Sequence, residues 1–207
     1  PSDENANFAW VQHFIYHLNK TGKAAFILGR SAISAERTDL DIRKQIVNSG
    51  ILDSIMVLQS NLFYNTQIPA SIWILDKTKA KRKNRSKEEV LLMDLRAYGT
   101  KITSTLRVLN DNEINQIGSV YDNWVNGNNY KDKHYFSKSV TISQIEEKNY
   151  NLSVNKYIET KKIQSDKKAT LKNLIGIKSK ALSTQNQSEE LQKKIIIGLK
   201  KTELDHL

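Results

Sequence analysis

Apolar residues at Phe8, Val11, Phe14, Ile15 and Leu18 recur at spacings of three and four and predict an amphipathic helix over 7–19, with Gly22 placed to end it. A short apolar run over 24–28 predicts a buried strand. Thr38 or Asp39 then caps a helix over 40–49, which Gly50 stops. Three further apolar, β-prone runs, 52–58, 71–75 and 90–95, predict three more strands. Beyond them, 110–126 predicts a surface helix with Ile114, Ile117, Val120, Tyr121 and Trp124 turned inward, and 141–148 a shorter one.

Strands alternating with helices predict an α/β fold with a mainly parallel sheet. The last two strands follow a strand with no helix between, which predicts a mixed sheet with an antiparallel edge. Sheets of this kind normally open on a strand and a Gly-rich turn, whereas this chain opens on Pro1-Ser2-Asp3 and a helix. The expectation is the second half of a larger sheet, with a broad apolar edge left open.

From about residue 166 the composition turns to Lys, Leu, Ile and Gln. Leu171, Leu174, Lys178 and Ala181 step at three and four, and Leu191, Ile195 and Leu199 at four, which predicts a helical hairpin or coiled-coil tail turning at 183–188. Two helices with one apolar face each pack on each other, on the domain or on a partner chain, and a partner chain is the favoured occupant.

The formal charge of +10 is not spread evenly. Residues 77–89 hold seven basic and two acidic side chains, residues 161–207 hold eleven and five, and the remainder is nearly neutral. Basic patches of this kind are the footprint of a polyanion binder, although a solubilising loop reads the same way. Lys79, Lys81, Arg82, Lys83 and Arg85 are the candidate phosphate contacts. The absence of cysteine removes disulfides and thiolate metal sites. His13 and His17 lie at i and i+4, but without the acidic companion of a zinc-protease helix, so no metal is expected. No apolar run is long enough for a membrane span and no leader pattern is present, so the chain reads as soluble and intracellular.

The stretch from Ser60 to Leu75 joins the aromatic pair Phe63-Tyr64 to a polar loop closed by Pro69 and then to an apolar strand. An ordinary turn favours Gly, Asn, Asp and Pro for backbone reasons and does not call for two adjacent rings. Either the rings cap the core beneath the loop, or they grip something flat.

Several of these stretches resemble one known family. They are Asn5-Ala6-Asn7-Phe8-Ala9-Trp10-Val11-Gln12-His13-Phe14-Ile15, Gly22-Lys23-Ala24-Ala25-Phe26-Ile27-Leu28, Asp41-Ile42-Arg43-Lys44, the run from Leu58 to Leu75, Lys87 to Leu95, Leu106 to Ile117, and Tyr150-Asn151-Leu152 with Asn155-Lys156-Tyr157. The family is the modification (methyltransferase) subunit of type I restriction-modification systems, which methylates adenine N6 in DNA. The likeness runs from Asn5 to Ile158 and is most specific from Leu62 to Pro69. It implies that 1–158 is the C-terminal part of a methyltransferase catalytic domain and that 159–207 is a helical tail for subunit docking, through Leu171, Leu174, Leu191, Ile195 and Leu199. It implies S-adenosylmethionine as methyl donor in the full subunit, and as partners DNA, the specificity subunit, a second modification subunit and the restriction subunit, in a prokaryotic cytoplasm with no membrane.

A methyltransferase must flip an adenine out of the duplex and hold its face against a ring. The resemblance assigns that role to Phe63 or Tyr64, on a loop held rigid by Thr66 and Pro69. The family's Gly-rich donor site and its Asn-Pro-Pro-aromatic tetrad do not occur in this sequence, so no catalytic residue is expected in this chain, which alone should be inert. Two departures stand out: Gly29-Arg30-Ser31 where the family has Ala-Asn-Gly or Pro-Asn-Gly, and Gln59 where Pro usually follows Leu58. With the missing motifs, the first of these favours the alternative expectation of a non-catalytic scaffold or truncated relative that binds DNA and partner subunits.

Overall fold

A computed structural model of the chain describes residues 6–159, 178–180 and 182–192. The chain divides into two compact units, Pro1–Thr160 and Lys161–Leu207. In the first, α1 (Asn7–His17), β1 (Lys23–Gly29), α2 (Thr38–Asn48), β2 (Leu52–Leu58), β3 (Ala70–Asp76) and β4 (Glu89–Leu95) are followed by a small hairpin, β5 (Thr100–Lys101) with β6 (Arg107–Val108). Then come α3 (Asp111–Asn126), β7 (Ser137–Thr141) and α4 (Ile142–Glu147).

The main sheet has the order β1-β3-β2-β4-β7. β3 runs antiparallel to both β1 and β2, β7 runs antiparallel to β4, and only β2 and β4 are parallel neighbours. The expected mainly parallel sheet is therefore corrected to a mostly antiparallel one. The physical reason is the missing crossover: β2 returns through residues 59–69 straight into β3, so β3 must run against β2, and it inserts between β2 and β1. β7 went unforeseen because Ser137-Lys138-Ser139-Val140-Thr141 is short and half polar, as suits an edge strand.

Side chains alternate across the sheet into two cores. Ile55, Val57, Val90 and Leu92 face a core built with Phe8 and Val11 of α1, Ile42, Ile46 and Val47 of α2, and Trp73. Met56, Leu58, Leu91, Met93 and Leu95 face the other, built with Val120 and Trp124 of α3. This is why β2 and β4 read as continuous apolar runs rather than alternating ones: both faces are covered. Two helices start on reciprocal caps, Asn110 with Glu113 for α3 and Thr141 with Gln144 for α4, and α3 stops at Gly127 in the left-handed conformation (φ 71°).

The link from β3 to β4 must pass over β2, because β2 lies between them. It carries the basic stretch, and part of that stretch points inward. A bulge between Leu52 and Ser54 takes Asp53 out of the β2–β3 register. Arg82 donates Nη1 to Asp53 Oδ1 at 2.7 Å, Nη2 to Asp53 Oδ2 at 3.0 Å, and Nη2 again to Asp76 Oδ2 at 2.7 Å. Tyr121 of α3 donates its hydroxyl to Asp53 Oδ2 at 2.6 Å, and the Thr78 amide and hydroxyl both donate to Asp76 Oδ1, at 2.7 and 2.6 Å. Lys23 reaches Asp76 Oδ2 at 3.2 Å, and the buried Lys79 ammonium donates to the Leu52 carbonyl. Arg82 also lies over the Trp124 ring, 5.5 Å from its centroid.

In the second unit, residues 178–180 and 182–192 are helical, so the turn expected at 183–188 is corrected to helix. The Ser183 and Thr184 hydroxyls donate back to the Lys180 carbonyl at 2.8 and 3.0 Å, which satisfies them inside the helix. Leu191 is exposed there, and Leu171, Leu174, Ile195 and Leu199 lie outside the described residues. Among the described residues no helix is long and apolar enough to cross a membrane.

The buried ion cluster makes three predictions. Arg82→Met strips Asp53 of its ion-pair partner and leaves Asp76 with only the half-exposed Lys23, and is expected to cost about 3–5 kcal/mol in urea unfolding; a loss below about 1 kcal/mol would show that the cluster does not support the fold. Burial raises the Asp76 carboxyl, but the hydrogen bonds from Thr78, Arg82 and Lys23 outweigh it and hold it at about 2, against an ordinary 3.8. Its contribution is therefore complete above about pH 3.8 and lost as pH falls through about 2. Lys79 has the opposite sign: burial, only partly offset by Asp53, lowers its ammonium to about 8 from 10.5. From pH 8 upward the folded chain has shed a proton that the unfolded chain keeps, so stability should rise with pH until unfolded tyrosines ionise near pH ~10. Lys79→Met should abolish that rise, as read from unfolding midpoints at pH 7 and 9.5.

Candidate functional site

β1, β2 and β4 point the same way, since β3 opposes both β1 and β2 and β4 is parallel to β2. Their carboxyl ends therefore share one end of the sheet. In α/β folds that end collects ligand-binding loops. Three connections emerge there: the turn after β1, the aromatic loop after β2, and the hairpin after β4.

Gln59–Pro69 forms the aromatic loop. Asn61 adopts φ 66°, a conformation Asn tolerates better than most residues, and so redirects the chain just ahead of the rings. Phe63 and Thr66 form an isolated antiparallel bridge that closes a tight turn around Tyr64-Asn65. The two rings part company here. Phe63 packs against the α3-side core, whereas Tyr64 is 93% exposed at the tip. Thr66 Oγ1 accepts the Ile68 amide at 3.2 Å. The loop is tied down at both shoulders by backbone bonds, Arg107 N–H to the Asn61 carbonyl at 2.7 Å and Arg30 N–H to the Pro69 carbonyl at 3.0 Å.

The basic stretch lies at the other end of the sheet, beside Leu52, Asp53 and Asp76. The seven residues of β2 put roughly 20 Å between it and the aromatic loop. Of its five candidate phosphate contacts, Lys79 is buried and Arg82 is engaged with two carboxylates, so for these two the expected surface role is corrected to a structural one. Arg85 is half-exposed, paired with Glu89 at 3.5 Å and Asp132 at 3.7 Å, and lies over Tyr130. Lys81 and Lys83 face solvent.

The turns at the loop-bearing end do not form a cradle for S-adenosylmethionine. After β1 the chain enters a 3-10 turn, Arg30–Ile33, with Ala32 and Ile33 buried and the Arg30 amide already given to Pro69. These residues do not hold that cofactor by themselves. Among the described residues no group of three His, Asp or Glu side chains could hold a metal ion; the His13 and His17 rings stack on one another with centroids 6.3 Å apart.

Sequence reasoning found the rings but missed what anchors them: Asn61, Arg107, and the Arg30 amide. Backbone bonds leave no residue signature. The one legible sign was Asn61, an αL-tolerant residue set directly before two apolar ones.

A family model described as N-6 DNA Methylase matches residues 1–166. The methylase subunit of the type I restriction enzyme HindI from Haemophilus influenzae is 35% identical over 167 residues, which cover 80% of this chain and 37% of that protein. The MjaIX methylase subunit from Methanocaldococcus jannaschii is 30% identical over 164 residues, 78% of this chain and 29% of that protein. Among solved structures, the type I restriction-modification methyltransferase subunit from Streptococcus thermophilus shares the fold with a TM-score of 0.67 at 27% identity, over 77% of this chain and 31% of that one. The chain thus spans about a third of the length of the relatives it matches. The match takes in every strand of the sheet together with the aromatic loop, and on that ground the chain belongs to the N-6 DNA methylase family, as a relative of type I restriction-modification methylase subunits.

Proposed function

We propose that this chain is the C-terminal part of the catalytic region of a type I modification subunit, which transfers a methyl group from S-adenosylmethionine to adenine N6 in DNA, and that its aromatic loop is one wall of the target-base site. The observation that carries this reading is Tyr64, a large ring almost fully exposed on a turn fixed at both shoulders. A bare tyrosine gains nothing for the fold. A flipped adenine stacked on it gains about 1–3 kcal/mol, which offsets part of the cost of unstacking the base. In this reading Phe63 is the inner ring that sets the turn on the core, Thr66 and Pro69 shape the descent into β3, and the donor site and catalytic tetrad lie upstream in the same polypeptide.

Residues 159–207 are proposed as the docking tail for the specificity subunit, with the exposed Leu191 as one of its apolar contacts. A second modification subunit and the restriction subunit complete the proposed assembly. The departure at Gly29-Arg30-Ser31 lends no support to a non-catalytic scaffold. What this turn gives the aromatic loop is a backbone N–H from Arg30, which any residue but proline supplies.

Tyr64→Ala in the full-length subunit, assembled with its specificity subunit, is expected to lower kcat/KM for DNA methylation by roughly 5- to 150-fold, the range that 1–3 kcal/mol of stacking represents. Phe63→Ala should lower thermal stability as well as activity. Unchanged methylation in both variants would end the stacking role. The double variant Lys81→Gln, Lys83→Gln tests the remaining basic stretch: if both lysines meet phosphate, the slope of log affinity against log salt should fall by about 1.8, with base flipping untouched. An unchanged slope would remove DNA from the functions of that loop.

A further inference from the structure

The aromatic loop is tied to the N-terminus of α3 through an unbroken series of bonds that the base-binding reading does not itself require. Arg107, at the start of β6, gives its backbone N–H to the Asn61 carbonyl at 2.7 Å and its side-chain Nη1 to the Gly99 carbonyl at 2.8 Å. Gly99 in turn gives its N–H to Glu113 Oε1 at 2.9 Å, while Glu113 Oε2 accepts the Asn110 N–H at 2.9 Å. One carboxylate therefore does two jobs. It closes the cap of α3 and holds the base of the hairpin.

Gly99 has no free alternative at this junction. Its φ of 96° is reached easily only by glycine, and a Cβ there would stand 3.2 Å from Leu62 Cδ2 and 3.6 Å from the Arg107 Cβ. Leu62 immediately precedes the aromatic pair. A side chain at Gly99 would therefore press on the residue that leads into Phe63-Tyr64.

From this geometry we infer that Gly99, Arg107 and Glu113 are positioning residues for the target base: they fix the height and direction of Tyr64 by referring the turn to the rigid start of α3. The inference rests on the base-stacking reading of Tyr64. None of the three touches the base; each acts through Asn61 and Leu62. A site set in this way loses efficiency when its support slackens, even though every contacting side chain is still present.

The test uses the full-length subunit assembled with its specificity subunit; base flipping is read on duplex DNA with 2-aminopurine in place of the target adenine, and kcat for methylation on the same duplex with adenine there. Gly99→Ala and Glu113→Ala are expected to reduce the fluorescence of the flipped base and kcat for methylation at least fivefold, with DNA affinity within twofold of the parent. Arg107→Ala, which keeps the backbone bond to Asn61, should lose two- to fivefold. Glu113→Gln retains an acceptor for Gly99 but not for Asn110, and should recover most of the flipping lost in Glu113→Ala. A merely structural role for Glu113 would lower the melting temperature of both variants together without separating their flipping signals. Should Gly99→Ala fail to fold, the Glu113 pair decides the matter. Unchanged flipping in Gly99→Ala and Glu113→Ala, alongside its loss in Tyr64→Ala, overturns the inference and spares the stacking reading. Unchanged flipping in Tyr64→Ala overturns both.

Discussion

The sheet depends on one guanidinium. Asp53 and Asp76 sit on adjacent strands at the same end of the sheet, both buried, and two carboxylates so placed repel unless a cation lies between them. Arg82 supplies it from the connection between β3 and β4, and Tyr121 brings α3 to the same point. Strands, crossover and one flanking helix thereby meet in a single hydrogen-bonded cluster. Breaking a buried pair from one side is costly because the remaining charge is stranded in a dry environment.

That cluster also divides the labour between the two ends of the sheet. One end is closed by the basic crossover, whose Arg82 and Lys79 turn inward onto two carboxylates and the Leu52 carbonyl while Lys81 and Lys83 stay in solvent. The other end keeps its connections long and outward, with an exposed ring on one and a short hairpin on the next. Closing one end firmly allows the loops at the other to be specified by a few backbone bonds rather than by burial.

The sequence made the helices and the central strands legible because their apolar spacing is enforced by two cores, one on each face of the sheet. Strand position was not legible: nothing in Ser71–Leu75 distinguishes an antiparallel strand inserted between two others from one added at an edge. The basic stretch misled for a physical reason. Lys79 and Arg82 look like Lys81 and Lys83 on the page, and only their partners separate them. Those partners were visible, since an aspartate inside the apolar run 52–58 and another at the end of β3 both demand a cation once the strands are buried. At the candidate site the rings were legible as a departure from turn chemistry, while the choice between them turned on which faces the core, a tertiary fact.

The insertion of β3 between β1 and β2 has a consequence for the order in which the molecule can be assembled. β1 and β2 share no hydrogen bond, although α2 joins them directly in sequence, so neither completes a sheet with the other. Within this chain, β1 and β2 join one sheet only through β3, which ends at Asp76. Arg82 follows six residues later to neutralise the end just formed. The aromatic loop is the connection whose short, bonded shape brings β3 back into the gap.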